Sequence, residues 1–328
     1  MFIPILLFLL GFVMLIKGGD WFVDGAVGIA HRFHLPELLI GATVVSIGTT
    51  LPEVMVSCQA ALQGNAGISY GNAIGSIICN TSLIAAITIA AKPGPVQTKS
   101  LRIPAFYFVI AAALYILIAV TTGRFQRWHG LMFLALFVIY MITSIREMKA
   151  HPDLSQETSA SEETPSEEAS STMAKDILLL AVGAVVIAVG ANLLVNNGTL
   201  IAQWLGVPDS VIGLTMIALG TSLPELITAI TSLLKGHSAL SLGNIIGANL
   251  FNIVLVSGAA ITLSPFKIPS EKTIAGINSS FVVDLPVMVL VMAIMCIPAF
   301  KTGRLSRWQG VLLLCIYAAF TLYQFFGM

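Results

Sequence analysis

Charged residues are scarce in this chain, and neither sign is in excess. Lysine and arginine together number 16, as do aspartate and glutamate, so 10% of the 328 residues are charged. This balance argues against a nucleic-acid-binding surface, which needs a basic excess. Hydrophobic residues make up 57% of the chain and the mean hydropathy is +0.93, which excludes a soluble globular protein of this length. Apolar stretches near the ~20 residues that cross a bilayer recur from end to end, which predicts an all-α membrane protein.

Cysteine is also scarce, and its spacing carries no signal. The four cysteines are scattered within apolar stretches, with neither metal-ligand spacing nor a disulfide framework: Cys58, Cys79, Cys296 and Cys315. We interpret them as small buried side chains, and no cofactor is predicted. Residues 1–16 carry no basic leader and no small-residue cleavage site, so we interpret them as a retained first span rather than a signal peptide.

Ten membrane spans are predicted, separated in the middle by one polar segment. The spans are 2–28, 36–63, 69–91, 102–121, 128–148, 174–200, 208–235, 241–264, 279–299 and 306–326. Residues 149–173 are rich in Ser, Thr and Glu, which predicts an acidic disordered linker. A regulatory metal site in this linker is the less favoured alternative, because no EF-hand spacing is present. The predicted domains are therefore a first repeat (1–148), the linker (149–173) and a second repeat (174–328).

Two segments of the chain repeat each other. Residues 41–80 and 213–252 align without a gap at an offset of 172 residues. Each contains Gly-Thr-Thr/Ser-Leu-Pro-Glu inside an apolar run, followed by Gly-Asn-x-Ile-Gly and a final Asn. Because each half has five spans, an odd number, the second half must enter the membrane from the opposite side. The sequence thus predicts two inverted five-helix repeats, an architecture associated with alternating access.

The distribution of basic residues predicts the orientation. With both termini outside, eleven Lys and Arg residues lie in inner loops and four in outer loops. The positive-inside rule favours this arrangement. We therefore predict a multi-pass protein of the cell (inner) membrane with both termini outside and the linker in the cytoplasm.

One glutamate in each repeat, Glu53 or Glu225, falls inside a membrane span. A carboxylate at that depth is costly and indicates a functional site, and its occurrence in both halves favours a single ion site. The prolines before them, Pro52 and Pro224, each remove a backbone donor and are predicted to open the helix one turn back. The carbonyls freed near 46–49 and 218–221 would then need a partner, which a cation supplies.

Oxygen atoms dominate the predicted site. Hydroxyl groups accompany the carboxylates at Thr49, Thr50, Thr221 and Ser222. Two carboxylates among neutral oxygens suit Ca²⁺ and Na⁺, and the lack of Cys and His disfavours zinc or copper. Further on, Asn80 follows Ser76 by four residues and Asn252 follows Ala248 by four, which places each pair on one helix face.

Other polar residues leave two interpretations open. The amides of Asn80 and Asn252 are predicted as ligands or as partners of the glutamates, and Asn72 and Asn244 do the same or cap backbone groups. Close helix packing is the alternative for the small residues of Gly-Asn-x-Ile-Gly. Two further groups of polar residues are weaker candidates. By spacing, His31, His34 and Glu37 resemble a metal cluster, and Asp20 and Asp24 could line an ion entrance. Solvent-exposed polar residues at the helix ends explain both groups as well.

The two repeated segments closely resemble the α-repeats of the calcium/cation antiporter superfamily, typified by sodium/calcium exchangers. The resemblance covers nearly the whole chain. It implies a four-helix core of spans two, three, seven and eight, with mobile first and sixth spans. It also implies that Glu53 and Glu225 are the central calcium ligands. The other implied ligands are the backbone carbonyls of Thr49 and Thr221, and sodium ligands at Thr50, Ser222, Ser76 and the carbonyls of Ser46 and Ala218.

Two positions depart from the pattern of sodium-coupled relatives. Ala248 stands where they often carry Ser, and Asn252 stands where some carry Asp. The hypothesis is an antiporter that exchanges Ca²⁺ for Na⁺, with a Ca²⁺/H⁺ antiporter and a passive cation channel as alternatives. Expected partners are Ca²⁺, Na⁺ or H⁺ as substrates and the lipid bilayer, without nucleic acid or an obligate protein partner. An enzyme is not predicted, because no nucleophile and base are paired at membrane depth.

Overall fold

The described chain is almost entirely helical. The computed structural model describes residues 2–33, 35–150, 172–205, 220–269, 273–274 and 276–326. Within this part of the chain, eight helical segments are long and apolar enough to cross a membrane. Apolar stretches fold as helices in lipid because each backbone N–H and C=O must be satisfied within its own segment.

Helices are numbered in chain order. In the first half they are α1 (Phe2–Arg32), α2 (Glu37–Ile40), α3 (Ser46–Leu62), α4 (Ala66–Cys79), α5 (Ala86–Ala91), α6 (Thr98–Thr122) and α7 (Arg127–Ala150). In the second half they are α8 (Met173–Trp204), α9 (Leu223–Leu234), α10 (Ser238–Phe251), α11 (Gly258–Leu263), α12 (Leu285–Thr302) and α13 (Arg307–Phe326).

Short π-helical segments join several of these helices into continuous spans. The segment π1 (Gly41–Val45) connects α2 to α3, and π2 (Asn80–Ala85) connects α4 to α5. In the second half π3 (Asn252–Ser257) connects α10 to α11, and π4 (Ser280–Asp284) precedes α12. Because π-turns are rare and concentrate at functional sites, these four segments indicate where an ion site could lie.

In the described part of the chain, four two-residue strands lie between helices. Strand β1 (Gly94–Pro95) pairs antiparallel with β4 (Arg304–Leu305), and β2 (Thr273–Ile274) pairs antiparallel with β3 (Ile277–Asn278). They tie loop segments together and leave the all-helical class unchanged.

The chain divides into two compact units, residues 1–49 with 146–244 and residues 50–145 with 245–328. In the first unit, α1 and α8 pack closely along their lengths. A Cβ added to Gly25 would lie 2.5 Å from the Leu180 nitrogen, and one added to Gly183 would lie 2.5 Å from the Phe22 nitrogen. Small residues permit this approach between membrane helices. At one end, Arg32 Nη2 lies 3.1 Å from Asp176 Oδ2, so an ion pair also joins the two helices.

Aromatic side chains fill much of the second unit. The ring centroids of Tyr115 and Phe125 are 4.6 Å apart, and those of Tyr140 and Phe251 are 5.8 Å apart. The same unit also contains a buried polar contact, in which Asn249 Nδ2 donates a hydrogen bond to Thr81 Oγ1 at 2.7 Å.

The predicted spans agree with the helices of the described residues, with shifted ends. The first span is longer than predicted and ends at Arg32 rather than at 28, and the third begins at Ala66 rather than at 69. Of the seventh span, predicted for 208–235, residues 208–219 lie outside the described residues. So do residues 151–171, which are most of the predicted linker.

Candidate functional site

Glu53 is fully buried on α3, in the second unit. Its exposed fraction is 0%, as is that of Thr50, which lies one turn earlier on the same helix face. Asn72 of α4 donates from Nδ2 to the Glu53 carbonyl oxygen at 3.1 Å and to Ser57 Oγ at 2.8 Å. Asn72 thereby links the glutamate-bearing turn of α3 to α4.

Glu225 is also fully buried, in the first turn of α9 in the first unit. Ser222 precedes the helix and is buried, and Thr221 lies half-buried in the turn before it. Glu225 therefore lies at the helix end that carries the positive pole of the helix dipole. Pro224 fits this position because the first turn needs no donor from it.

The two prolines act differently. In the second half a turn at 221–222 precedes Pro224, as the sequence predicts. In the first half α3 runs unbroken through Pro52, so the predicted opening of that helix is wrong. The irregular backbone lies earlier instead, in π1, which ends immediately before Ser46.

Two buried amides mark equivalent positions in the repeats. Asn80 is the first residue of π2 and Asn252 the first residue of π3, and both have an exposed fraction of 0%. Within the described residues, their side-chain oxygen and nitrogen atoms make no hydrogen bond, and neither do Thr50 Oγ1 and Ser222 Oγ. Buried polar atoms without partners are costly. Within the second unit, a cation coordinated by the oxygens of Thr50, Asn80 and Asn252 would satisfy those oxygens. Ser76, one turn before Asn80 on α4, is buried as well.

Asn244 of α10 collects the hydroxyl groups of the first repeat. Ser46 Oγ donates to the Asn244 carbonyl oxygen at 2.9 Å and lies 3.3 Å from its Oδ1. Thr49 Oγ1 donates to the same Oδ1 at 3.2 Å. The sequence predicts Asn244 only as a ligand or cap, and nothing in it indicates these particular partners. Asn244 therefore holds in place the backbone whose carbonyls are predicted ligands.

Close helix packing explains the first glycine of Gly-Asn-x-Ile-Gly in one repeat and not in the other. A Cβ on Gly243 would overlap the Leu38 carbonyl oxygen, whereas one on its repeat counterpart Gly71 would meet nothing within 4 Å. The packing interpretation of Gly-Asn-x-Ile-Gly thus holds in the second half alone.

The structure distributes the predicted site residues over both units. The first unit brings Ser46 and Thr49 to Asn244 and carries the Thr221–Ser222–Glu225 turn. Thr50, Glu53, Ser76, Asn80 and Asn252 lie in the second unit. Ala218 lies outside the described residues.

The residues predicted as a weak metal cluster make pairwise contacts instead. His237 Nδ1 lies 2.8 Å and His31 Nε2 3.8 Å from Glu37 Oε1, while His34 lies outside the described residues. No group of three His, Cys, Asp or Glu side chains able to hold a metal occurs in the part of the chain that is described.

Asp20 and Asp24 contact a lysine. Lys235 Nζ lies 2.7 Å from Asp24 Oδ1 and 3.5 Å from Asp20 Oδ1, and donates to the Asp20 carbonyl at 3.2 Å. Both acidic residues are therefore paired with Lys235 at the end of α9 in this conformation.

A family model described as sodium/calcium exchanger protein matches residues 3–146 and 175–326, which is nearly the whole chain. The chain belongs to this family. Sodium/calcium exchanger MaX1 of Methanosarcina acetivorans is 28% identical over 98% of both chains. Inner membrane protein YrbG of Escherichia coli (strain K12) is 32% identical over 94% of this chain and 92% of its own length. Among solved structures, the sodium-calcium exchanger NCX_Mj soaked with 2.5 mM Na⁺ and 0.1 mM Ca²⁺ superposes with a TM-score of 0.79 at 30% identity over 97% of each chain.

Family membership confirms several predictions. The resemblance to calcium/cation antiporters is confirmed, and so is the architecture of ten transmembrane helices in two inverted five-helix repeats. This exchanger-family protein is an integral membrane antiporter of the calcium/cation class, not an enzyme.

Proposed function

We propose that this protein exchanges Ca²⁺ for Na⁺ across the cell membrane by alternating access. The observation that carries the proposal is the fully buried glutamate at the equivalent position of each repeat, each beside buried hydroxyl groups. Sodium is favoured over protons because MaX1 is a sodium/calcium exchanger and NCX_Mj has been soaked with both ions.

Glu53 and Glu225 are the proposed central ligands. Together they supply about two negative charges, which one Ca²⁺ or two Na⁺ would neutralise. Asn80 and Asn252 are amides, so they add ligand oxygens without adding charge. A site with a charge of about −2 is neutralised by Ca²⁺ or by Na⁺, but not by both at the same time. The remaining proposed ligands are Ser46, Thr49, Thr50, Ser76, Ala218, Thr221 and Ser222. Competition for one site is the physical basis of coupling, because either ion must leave before the other binds.

Alternating access would come from movement of α1 and α8 together. Their close backbone contact and the Arg32–Asp176 ion pair favour motion of the two helices as one body. Inverted repeats support such a motion because the two end states are related by exchange of the repeats.

The orientation is part of the proposal. The excess of basic residues in the predicted inner loops favours an orientation with both termini outside and residues 149–173 in the cytoplasm. The relation to an inner membrane protein, YrbG, is consistent with the cell membrane as the location.

The deciding experiment compares two driving gradients in proteoliposomes. Uptake of ⁴⁵Ca²⁺ is measured into vesicles preloaded with Na⁺, and into sodium-free vesicles with a pH gradient. We expect uptake with the sodium gradient alone. Uptake driven only by the pH gradient would replace Na⁺ by H⁺ in the proposal, and Ca²⁺ flux without any counter-ion would indicate a channel.

The matched variants are Glu53→Gln and Glu225→Gln, which keep the size of the side chain and remove the charge. Both are expected to abolish uptake while the thermal unfolding of the purified protein stays cooperative. Retained Ca²⁺ transport in either variant would contradict the proposed site.

A further inference from the structure

The buried stripe of α9 contains no large apolar side chain. Its buried residues are Pro224, Glu225, Thr228, Ala229 and Ser232, at the spacing of a single helix face. Small residues and hydroxyl groups are common where membrane helices pack closely, so the face itself is ordinary. What needs a reason is whether its hydroxyl groups, which lie beside a buried carboxylate, have partners.

The two hydroxyl groups on this face are buried without partners. Thr228 and Ser232 both have an exposed fraction of 0%, and within the described residues Thr228 Oγ1 and Ser232 Oγ make no hydrogen bond. Buried hydroxyls in membrane helices commonly bond back to the carbonyl four residues earlier.

That bond is present elsewhere in this protein. Thr43 Oγ1 donates to the Leu39 carbonyl at 2.7 Å, and Thr262 Oγ1 donates to the Gly258 carbonyl at 2.7 Å. Thr228 and Ser232 instead share the condition of Thr50 and Ser222, the proposed ion ligands.

A third hydroxyl belongs to the next helix. Ser241 of α10 is buried, and its Oγ also lacks a partner in the described part of the chain. In the first repeat, Ser57 Oγ donates to the Ser69 carbonyl at 3.4 Å. The repeat counterparts of Ser57 and Ser69 are Ala229 and Ser241, which predicts that Ser241 lies opposite Ala229 and therefore beside Thr228 and Ser232.

The hydroxyl pair on α9 is a property of the second repeat alone. At the offset of 172 residues, Thr228 corresponds to Val56 and Ser232 corresponds to Ala60. The first repeat folds into the same helical hairpin with these apolar residues, so the hydroxyl groups are not needed to build it.

We propose that Thr228, Ser232 and Ser241 form an additional cation-binding position, selective for Na⁺, on the α9–α10 hairpin. This position rests on the proposed function and lies one to two helical turns, about 5–10 Å, along α9 from Glu225. Neutral hydroxyl oxygens without a carboxylate suit a monovalent hard cation, whereas Ca²⁺ depends on carboxylates for its affinity. Na⁺ moving between Glu225 and the end of α9 would occupy it, and Ca²⁺ would pass without binding there.

The test is the double variant Thr228→Val with Ser232→Ala, which gives α9 the residues of the first repeat. Equilibrium binding of ²²Na⁺ and of ⁴⁵Ca²⁺ is measured on the purified full-length protein. We expect the half-saturating Na⁺ concentration to rise about tenfold and that for Ca²⁺, measured without sodium, to stay within twofold.

Two controls separate the hydroxyl groups from the shape of the hairpin. Thr228→Ser with Ser232→Thr keeps both hydroxyls and is expected to bind Na⁺ as the wild type does. Thr262→Val removes a hydroxyl that is already paired within its own helix, and no change in Na⁺ affinity is expected.

The outcomes are distinct. Na⁺ affinity of the double variant within twofold of the wild type would overturn this position alone and leave the proposed exchange intact. Equal losses for Na⁺ and Ca²⁺ would show a structural role and overturn it as well. Absence of Na⁺ binding by the wild type would overturn both the position and sodium coupling.

Discussion

Ala248 places a methyl group where the first repeat has the hydroxyl of Ser76. The Ala248 side chain is fully buried, so an oxygen added there would be closed off from solvent. If the proposed sodium ligands are correct, Ala248→Ser should lower the half-saturating Na⁺ concentration by about fivefold, the equivalent of one net polar contact of about 1 kcal/mol.

The measurement for Ala248→Ser is the sodium dependence of ⁴⁵Ca²⁺ uptake. Ala73→Ser, a fully buried alanine on the corresponding helix of the first repeat, controls for the addition of a hydroxyl as such. Higher or unchanged half-saturation in Ala248→Ser would count against a sodium position at this helix face.

Asn244 offers a test of positioning rather than of ligation. Asn244→Ala removes the Oδ1 that accepts from Thr49 and approaches Ser46, and should lower the free energy of unfolding by about 1–3 kcal/mol. A double-mutant cycle compares the free energies of unfolding of the wild type, Asn244→Ala, Thr49→Val and the double variant, measured by thermal unfolding. Strict additivity of the two single changes would contradict the contact.

At the level of helices, Gly243 and Gly71 form a matched pair. Gly243→Ala should prevent normal packing of α10 against α2, because the new methyl group would overlap the Leu38 carbonyl oxygen. Gly71→Ala is the control, since the same change there meets open space. Yield and monodispersity of the detergent-purified protein measure the difference. Equal yields would show that the backbones separate at little cost.

The Lys235 contact predicts an asymmetry between the repeats. The residues at the equivalent positions of the other repeat are all neutral. Gln63 corresponds to Lys235, and Asn192 and Asn196 correspond to Asp20 and Asp24. Asn196 Nδ2 donates to Asn192 Oδ1 at 3.0 Å instead. The charged contact between α1 and α9 therefore stabilises one conformation without an equal in the other repeat.

Lys235→Gln should shift the balance between the two end states, by less than about fivefold because partly exposed ion pairs contribute roughly 0.2–1 kcal/mol. The readout is the ratio of apparent Ca²⁺ affinities at the two membrane sides in oriented vesicles. Lys17→Gln is the control, because Lys17 contacts Asp20 within the same helix. A ratio that is unchanged in Lys235→Gln would show that the contact does not bias the cycle.

The duplication made the helices and the glutamates of the candidate site predictable from the sequence. The lengths of the apolar segments and the repeated glutamate can be read from the sequence, so the spans and the buried Glu53 and Glu225 could be predicted. The π-segments at Asn80 and Asn252 could not, since they depend on which carbonyl each N–H reaches and carry no composition of their own. The partners of Asn244 likewise depend on packing between helices, which no spacing reveals.

For the whole molecule, the polar segment 149–173 provides the test of orientation. Ser161→Cys places a thiol in this segment, and we expect a membrane-impermeant maleimide to label it in inside-out vesicles and not in right-side-out vesicles. Cys315, which is exposed on α13, is replaced in both samples so that it adds no background. Labelling from the outer side would invert the proposed topology.

The Arg32–Asp176 ion pair has a mechanical consequence. Asp176 lies in the first turn of α8, directly after the polar segment, and Arg32 lies in the last turn of α1. Movement of the chain before α8 therefore reaches α1 through this ion pair as well as through the packed faces of the two helices. Anything that tethered the polar segment would therefore restrain α1 and α8 together.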